Sequence, residues 1–277
     1  MLRNVINNEH TKIFKRRMFW VELSLMALLV IGFQITLYAV LRGSPMPAEV
    51  RLNLTQMLSW PNALVNILSY TGGDALGGLF ITILVGAVTA QEYTWRTLQL
   101  WLSRGIPRLH LGLGKFAALL LPAFLIVLTA VVIGGVMTVI LSAQVYGSLQ
   151  FEQLDFLHLA FSILRTTYTL LPYAAFTFLL AVASRSTVVA ISGGLAYVLL
   201  IENILTQVLG LFDEPISQIN AFLPGSMAKS LMSLNQAPGG VVPGYLIPMN
   251  AAIGIGIWIL FFLGLSLFIF RRQDLSE

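Results

Sequence analysis

Three features of this sequence could support catalysis or nucleotide binding. They are its histidines, its serines and a glycine–lysine pair. The three histidines are His10, His110 and His158, and no two have the spacing of a metal site such as H-E-x-x-H. No Gly-x-Ser-x-Gly elbow occurs, and Ser192 has no histidine in any apolar stretch to act as its base. The Gly114-Lys115 pair precedes phenylalanine, where a phosphate-binding loop needs serine or threonine. The sequence therefore predicts a chain with no catalytic residue, no metal site and no cofactor of its own.

The composition indicates that the elements around these residues lie in a membrane. Hydrophobic residues make up 57% of the 277 residues, charged residues make up 10%, and the mean hydropathy is +0.84. So little polar surface cannot cover a water-soluble globule, and the apolar stretches are long enough to cross a bilayer as helices. The net charge of +4 is small, so it does not indicate nucleic-acid binding.

The apolar stretches predict an all-α integral membrane protein with a single transmembrane domain. Its six predicted transmembrane helices cover residues 19–41, 74–90, 116–141, 159–183, 188–209 and 248–270. Of the 16 lysines and arginines, the ones outside the predicted cytoplasmic segments are Arg42, Arg51, Arg165 and Lys229. Because lysine and arginine are retained on the cytoplasmic side, both termini are predicted to be cytoplasmic.

Residues 1–18 are predicted to form an amphipathic helix in the cytoplasmic interface of the bilayer. Its apolar residues fall on one stripe at helical spacing, and its basic residues cluster towards the far end. Glu9 interrupts the apolar stripe, so it either pairs with Lys12 or Arg16 or faces a protein partner. The alternative is a basic anchor that only sets the topology.

Three segments are predicted on the external side, and one of them, residues 142–158, is a polar connection. Residues 42–73 form a turn-rich loop with one short interfacial helix at residues 54–60. Residues 210–247 mix apolar residues with prolines and are neither long enough to span nor polar enough to be a solvated loop. We expect a re-entrant pair of short helices there, shielded by protein because irregular backbone is not tolerated in lipid.

Within the spans, two groups of residues are candidates for contacts between helices. Gly78, Thr82 and Gly86 recur at every fourth position and permit close helix packing, although glycine is also simply common in membrane helices. Arg165 and Glu202 form a candidate intramembrane pair, because a lone charge at mid-bilayer costs on the order of 2.5–3.5 kcal/mol. The alternative for these two is contact with a substrate or a proton.

Residues 91–115 form the most distinctive polar segment of the chain. Arg96, Arg104, Arg108 and Lys115 stand against the single acid Glu92. Leucines and Trp101 supply enough apolar surface for short amphipathic helices, with a break near Gly105 and Pro107. The segment is either a cytoplasmic helix–turn–helix that receives force from a soluble partner or a solvated connector resting on the bilayer.

In its order of motifs, this segment resembles ABC-2-type transporter permeases. The residues that carry the resemblance are Glu92, Thr97-Leu98, Leu102-Ser103-Arg104, Pro107-Arg108 and Gly114-Lys115, with Phe222-Leu223-Pro224 and Ser226–Leu231 further along. Arg96 departs from the pattern, which usually has glycine there, and Gly105-Ile106 are inserted before the proline.

The resemblance implies the permease subunit of an ATP-driven exporter in a bacterial cytoplasmic membrane. Two copies of a separate ATPase would hold ATP and magnesium, and a second permease, identical or homologous, would complete the channel within the lipid bilayer. The residues expected to couple to the ATPase are Glu92, Tyr93, Arg96, Thr97, Leu98, Leu102, Ser103, Arg104 and Arg108, and the N-terminal helix would brace them. An ion-coupled secondary carrier and a non-transporting scaffold or immunity protein are the alternatives, and the sequence does not indicate the substrate.

Overall fold

The structure, a computed structural model, describes residues 2–43, 45–95, 98, 101, 103, 105–146, 155–214, 216–236 and 245–273. The described residues form helices and connecting turns, with no strand among them, so the predicted all-α class is confirmed. The α-helices are α1 (Leu2–Lys15), α2 (Arg17–Gly43), α3 (Ala48–Leu58), α4 (Asn62–Tyr70), α5 (Leu76–Thr94), α6 (Arg108–Ala118), α7 (Leu120–Tyr146), α8 (Phe156–Ser184), α9 (Thr187–Ala196), α10 (Glu202–Leu209), α11 (Pro224–Met232) and α12 (Pro248–Arg272).

Six of the described helical stretches are long and apolar enough to cross a membrane, which confirms the predicted number. They are α2, α5, α6 with α7, α8, α9 with α10, and α12. The third begins at Arg108, well before the predicted start at residue 116, because α6 and α7 follow one another with only Leu119 between them. A five-residue π-helical segment, Tyr197–Ile201, joins α9 to α10.

Helix α8 lies at the centre of the bundle and packs against α5, α7, α9 and α12. Its buried side chains include Leu170, Tyr173 and Phe178, and the helix continues through Pro172. Helix α2 packs mainly on α7, where the buried Gln34 donates to Gly134 O (3.2 Å) and Thr138 Oγ1 (3.1 Å). The core therefore forms around α8, and α2 lies at the periphery.

Small residues allow α5 to approach α9 closely. A Cβ added at Gly86 would lie 2.7 Å from the Ile191 side chain, and one added at Gly194 would lie 2.4 Å from Thr82 Cγ2. Such distances are below van der Waals contact, so both glycines are needed for this packing. Gly78 differs from Gly86 and Gly194. A Cβ at Gly78 would meet Gly73 O in the turn before α5 rather than a neighbouring helix.

The segment predicted as an external loop contains two helices, α3 and α4. The prediction of one short helix at residues 54–60 was wrong in extent, since α3 covers residues 48–58 and α4 was not anticipated. The buried residues Ala63, Leu64, Ile67 and Leu68 give α4 one apolar face, which packs on α7. The polar residues between them obscured this face in the sequence.

Residues 216–236 form a short helical region between α10 and α12, exposed at its start and mostly buried from Pro224 onwards. A 3₁₀ turn, Ser217–Phe222, precedes α11, and a second, Ser233–Asn235, follows it. Helix α11 begins with Pro224, a residue favoured in the first helical turn, and packs Met227 and Leu231 against Ala251 and Ile255 of α12. Residues 215 and 237–244 of the predicted re-entrant segment lie outside the described residues, and its re-entry into the membrane stays a prediction.

Candidate functional site

Four charged side chains from three helices form a closed ion cluster, which consists of Glu9, Lys12, Glu92 and Lys115. Lys12 Nζ lies 2.8 Å from Glu9 Oε1 and 2.9 Å from Glu92 Oε1. Lys115 Nζ lies 2.9 Å from Glu9 Oε1 and also binds Glu92 Oε2. Each acid therefore contacts both lysines, and the ion cluster joins α1, the end of α5 and α6.

The ion cluster is buried, so its charges depend on one another. Glu9 and Glu92 are each 2% exposed and Lys115 is 8% exposed, while Lys12 reaches towards the surface. Burial opposes the charged form of Glu9, but Lys115 and Lys12 outweigh it and hold the pKa of Glu9 below its ordinary value. Burial likewise opposes the charged form of Lys12, and Glu92 and Glu9 outweigh it and raise the pKa of Lys12.

Further contacts seat α1 on α5 and α6. Arg16 Nη1 donates to Gln91 Oε1 at 2.8 Å, and the Arg16 guanidinium lies 5.3 Å from the Trp95 ring. His10 Nε2 lies 3.1 Å from Ala118 O at the end of α6. The face of α1 that carries Glu9 is therefore a docking face against the rest of the chain, and it does not point to lipid.

The same end of the bundle also binds the end of α12. Arg108 Nη1 donates to Phe270 O at 3.3 Å and to Arg271 O at 3.1 Å, which caps the last carbonyls of α12. Tyr93 Oη donates to Gln273 Oε1 at 3.2 Å, and Gln273 Nε2 donates to Val182 O of α8 at 2.6 Å. We call this end, which holds α1, the start of α6 and the end of α12, the basic end.

Several exposed side chains follow Glu92 along the chain. Trp95 is 61% exposed, and Ser103, Leu109 and His110 are exposed as well. Gly105 has φ of 77°, in the left-handed region that favours glycine, so it forms the turn before α6. Leu98 is helical, Gly105 forms a turn and α6 follows, but residues 96, 97, 99, 100, 102 and 104 lie outside the described residues, so the helix–turn–helix stays a prediction.

The structure changes the interpretation of several predicted coupling residues. Glu92 is enclosed by α1 and α6, and Leu98 is 3% exposed, so neither side chain lies where a partner could touch it. Tyr93 and Arg108 bind α12, whereas Ser103 is exposed. Arg96, Thr97, Leu102 and Arg104 lie outside the described residues.

Sequence reasoning did not assign Lys115 to the site, although its motif was noted, and it missed Gln91 and Gln273 entirely. The one available signal was that Glu9 and Glu92 each lie in an apolar context near basic residues, which requires buried cations nearby. The sequence does not show that Lys115, rather than a neighbouring arginine, pairs with these acids. That pairing follows from the approach of α1 to α6 in the structure.

At the opposite end of the bundle, the predicted ion pair between Arg165 and Glu202 is not formed. Glu202, buried at the start of α10, accepts a hydrogen bond from Tyr173 Oη at 2.6 Å and another from Gly225 N. Arg165 Nε donates to Asn235 Oδ1 at 2.9 Å, and its Nη2 donates to Ser162 Oγ at 2.9 Å. The free amides at the start of α11 attract the carboxylate, and this alternative was invisible in the sequence.

A second acid, Asp74, lies near this end, where Lys229 Nζ of α11 is 3.6 Å from its Oδ2. Burial raises the pKa of Asp74, and Lys229 partly offsets the increase. Among the described residues, no three histidine, cysteine, aspartate or glutamate side chains come together as a metal site requires.

One known protein family matches almost the whole chain. The model of a family described as ABC-2 family transporter protein matches residues 3–275. No curated protein matches the chain in sequence. The match takes in all six apolar helical stretches, the ion cluster and α11.

Proposed function

The chain belongs to the ABC-2 family of transporter proteins, and we propose that it is the permease subunit of an ATP-driven exporter. Family membership and six apolar helices make it a multi-pass membrane protein with the role of a transport permease. The proposal adds a separate ATPase that supplies the energy, and outward transport across a bacterial cytoplasmic membrane. Coupling of the two proteins would take place at the basic end.

The ion cluster is the observation that carries this proposal. It fixes α1 to the end of α5 and to α6, and the exposed residues Trp95 and Ser103 lie in the segment that joins these two helices. We take this segment as the surface that a partner would contact. A partner pressing on that surface would move the three helices as one unit, because separating them exposes buried charges at a cost of several kcal/mol. In this mechanism Glu92 positions the coupling surface and does not itself dock into the ATPase.

The helix packing provides a route from that surface into the bundle. Helix α5 runs from the ion cluster to its close contact with α9 at Gly86, and it also packs along the central α8. Tightly packed interfaces shift as rigid units, so motion of α5 would displace α8 and α9 together. The substrate path is proposed to open between these helices and their counterparts in a second permease subunit.

The orientation and the assembly are part of the proposal. Helix α1 and the end of α12 both lie at the basic end, where Arg108 binds the last carbonyls of α12. We place this end in the cytoplasm because lysine and arginine are retained there. Two permease subunits and two ATPase subunits would form the transporter, and ATP and magnesium would be held by the ATPase.

Purification from native membranes in a mild detergent tests the proposal. We expect mass spectrometry of the purified material to identify a co-purifying protein with a phosphate-binding P-loop, in a stoichiometry of one per permease chain. Stimulation of its ATP hydrolysis by candidate substrates would then identify the cargo. Purification of the chain alone, or only with itself, in several detergents would contradict the proposal.

Arg104→Ala tests coupling within that complex, since the resemblance assigns Arg104 to the ATPase contact. We expect ATP hydrolysis and assembly to persist while transport is lost. Lys15→Ala, which removes an exposed charge of α1 at the same end, is the matched control and should transport normally. Unchanged transport by Arg104→Ala would remove the assigned coupling role.

A further inference from the structure

We propose that the groove between α6 and α12 at the basic end binds one anionic phospholipid. The groove has a volume of about 580 Å³, and its lining residues are Leu109, Gly264, Leu267, Phe268, Arg271 and Arg272. The phosphate would lie at the two arginines, and one acyl chain would lie along the apolar wall. This inference depends neither on an ATPase partner nor on the direction of transport.

Polarity changes along the groove in the same order as along a phospholipid. Gly264, Leu267 and Arg271 share one face of α12, because residues three, four and seven apart lie above one another on a helix. Gly264 and Arg271 are seven positions apart, which corresponds to roughly 10 Å of helix axis. The apolar part lies within the span and the arginines lie at its end, at the depth of lipid headgroups.

The floor of the groove is open because of glycine. A Cβ added at Gly264 would meet nothing within 4 Å, whereas one added at Gly112 of α6 would lie 2.5 Å from Leu267 Cδ2. The two helices therefore touch at Gly112 and Leu267 and leave space beside Gly264. A side chain at position 264 would fill this space without displacing its neighbours.

The two arginines are available to a ligand. The last carbonyls of α12 are capped by Arg108, so neither arginine is required for that task. Arg272 lies against the wall of the groove, with its guanidinium 4.2 Å from the Phe268 ring. Both arginines are exposed, and within the described part of the chain neither forms a salt bridge.

A phospholipid fits this combination better than other anions do. Free phosphate would use only the arginines and leave the leucine-lined wall in contact with other molecules. An acidic protein segment would have to carry unpaired backbone groups to the depth of Gly264, which is costly in hydrocarbon. Basic pockets between transmembrane helices on the cytoplasmic side are suited to anionic headgroups.

Native mass spectrometry of the purified chain in mild detergent tests the site, with phosphatidylglycerol and zwitterionic phosphatidylcholine added in parallel. We expect one phosphatidylglycerol to bind per chain, in preference to phosphatidylcholine. Arg271→Gln and Arg272→Gln should each weaken that binding roughly fivefold, from the attraction of one basic residue to an anionic lipid. Gly264→Leu should weaken it by filling the floor without changing any charge.

Arg17→Gln is the matched control, because Arg17 is an exposed arginine at the start of α2. It should leave binding unchanged, and thermal unfolding should show that each variant is folded. If Gly264→Leu does not fold, the smaller Gly264→Ala tests the acyl-chain contact in its place. The proposal would be overturned if both lipids bound equally well, or if Arg17→Gln weakened binding as much as the groove variants do. Full lipid binding by the variant at position 264 would also overturn it. So would arginine variants that keep the lipid but lose a protein partner.

Discussion

The two ends of the bundle bury carboxylates in different ways. At the basic end, Glu9 and Glu92 are held by Lys12 and Lys115, whose charges balance theirs. At the opposite end, Glu202 is held by the hydroxyl of Tyr173 and the amide of Gly225. The first arrangement is a network of full charges, and the second surrounds one carboxylate with dipoles.

The difference indicates what each end is suited to do. A balanced set of buried charges loses several kcal/mol when one member is removed, so the ion cluster holds three helices in a single arrangement. Hydrogen bonds to one carboxylate hold α11 more weakly, and they are broken and remade at lower cost. The basic end is therefore suited to transmit a displacement, and the opposite end is suited to local rearrangement around α11.

Removing a lysine from the ion cluster should have the largest effect. Lys115→Met removes one of the two lysines that bind both Glu9 and Glu92, so buried negative charge loses a partner, and we expect a loss of about 3–5 kcal/mol in the free energy of unfolding. Chemical denaturation of the purified protein in detergent measures this loss.

Two variants sharpen this test. Lys15→Met removes an exposed lysine from α1, the helix that carries Glu9 and Lys12, and should cost far less. Adding Glu9→Gln to Lys115→Met restores the charge balance and should recover part of the loss. Equal costs for the two lysine variants would show that the ion cluster is not what secures this end.

Tyr173→Phe should have a smaller and more local effect. It removes the hydroxyl that donates to Glu202, and leaving a buried hydrogen-bond partner unsatisfied is expected to cost about 1–3 kcal/mol. Hydrogen exchange read by mass spectrometry should increase in α11 while the basic end stays protected. Tyr70→Phe is the control, because no hydrogen bond of Tyr70 occurs among the described residues and the Phe33 contact remains. Uniformly increased exchange would contradict a local role.

Double-mutant cycles on unfolding should distinguish the observed partners from the predicted ones. Arg165→Met and Asn235→Ala should show a coupling energy of about 0.5 kcal/mol or more, because their side chains share a hydrogen bond. Arg165→Met and Glu202→Gln should be additive within about 0.5 kcal/mol, because each binds other residues. Strong coupling between Arg165 and Glu202 would restore the predicted ion pair.

The pH dependence of stability tests the charge of Glu9 in the ion cluster. The pKa of Glu9 is below its ordinary value of 4.5, so the folded state binds that proton less readily than the unfolded state. Its stabilising contribution is present above pH 4.5 and is lost as the pH falls through the folded-state pKa. Wild type should therefore exceed Glu9→Gln in melting temperature near neutral pH, and this difference should shrink on acidification. A constant difference across that range would contradict the ionic role of Glu9.

Much of the architecture could be predicted from local sequence. Six spans follow from apolar length, because each helix in lipid must satisfy its own backbone hydrogen bonds. The amphipathic character of α1 and the break at Gly105 follow from residue spacing and from the conformational freedom of glycine. Helix α4 was missed because its apolar face is short and because the polar residues Asn66 and Ser69 lie in the same stretch of sequence.

The sequence by itself determined the all-α class, the number of spans and the segment that carries the family pattern, because these depend on neighbours along the chain. Only the tertiary structure decided that Glu9 meets Lys115, that Glu202 binds the start of α11, and that a groove opens beside Gly264. The physical reason is that partners of buried charges are chosen by which helices meet. Contacts between residues such as 9 and 115 leave no periodic signal in one sequence, so they appear only once the helices have packed.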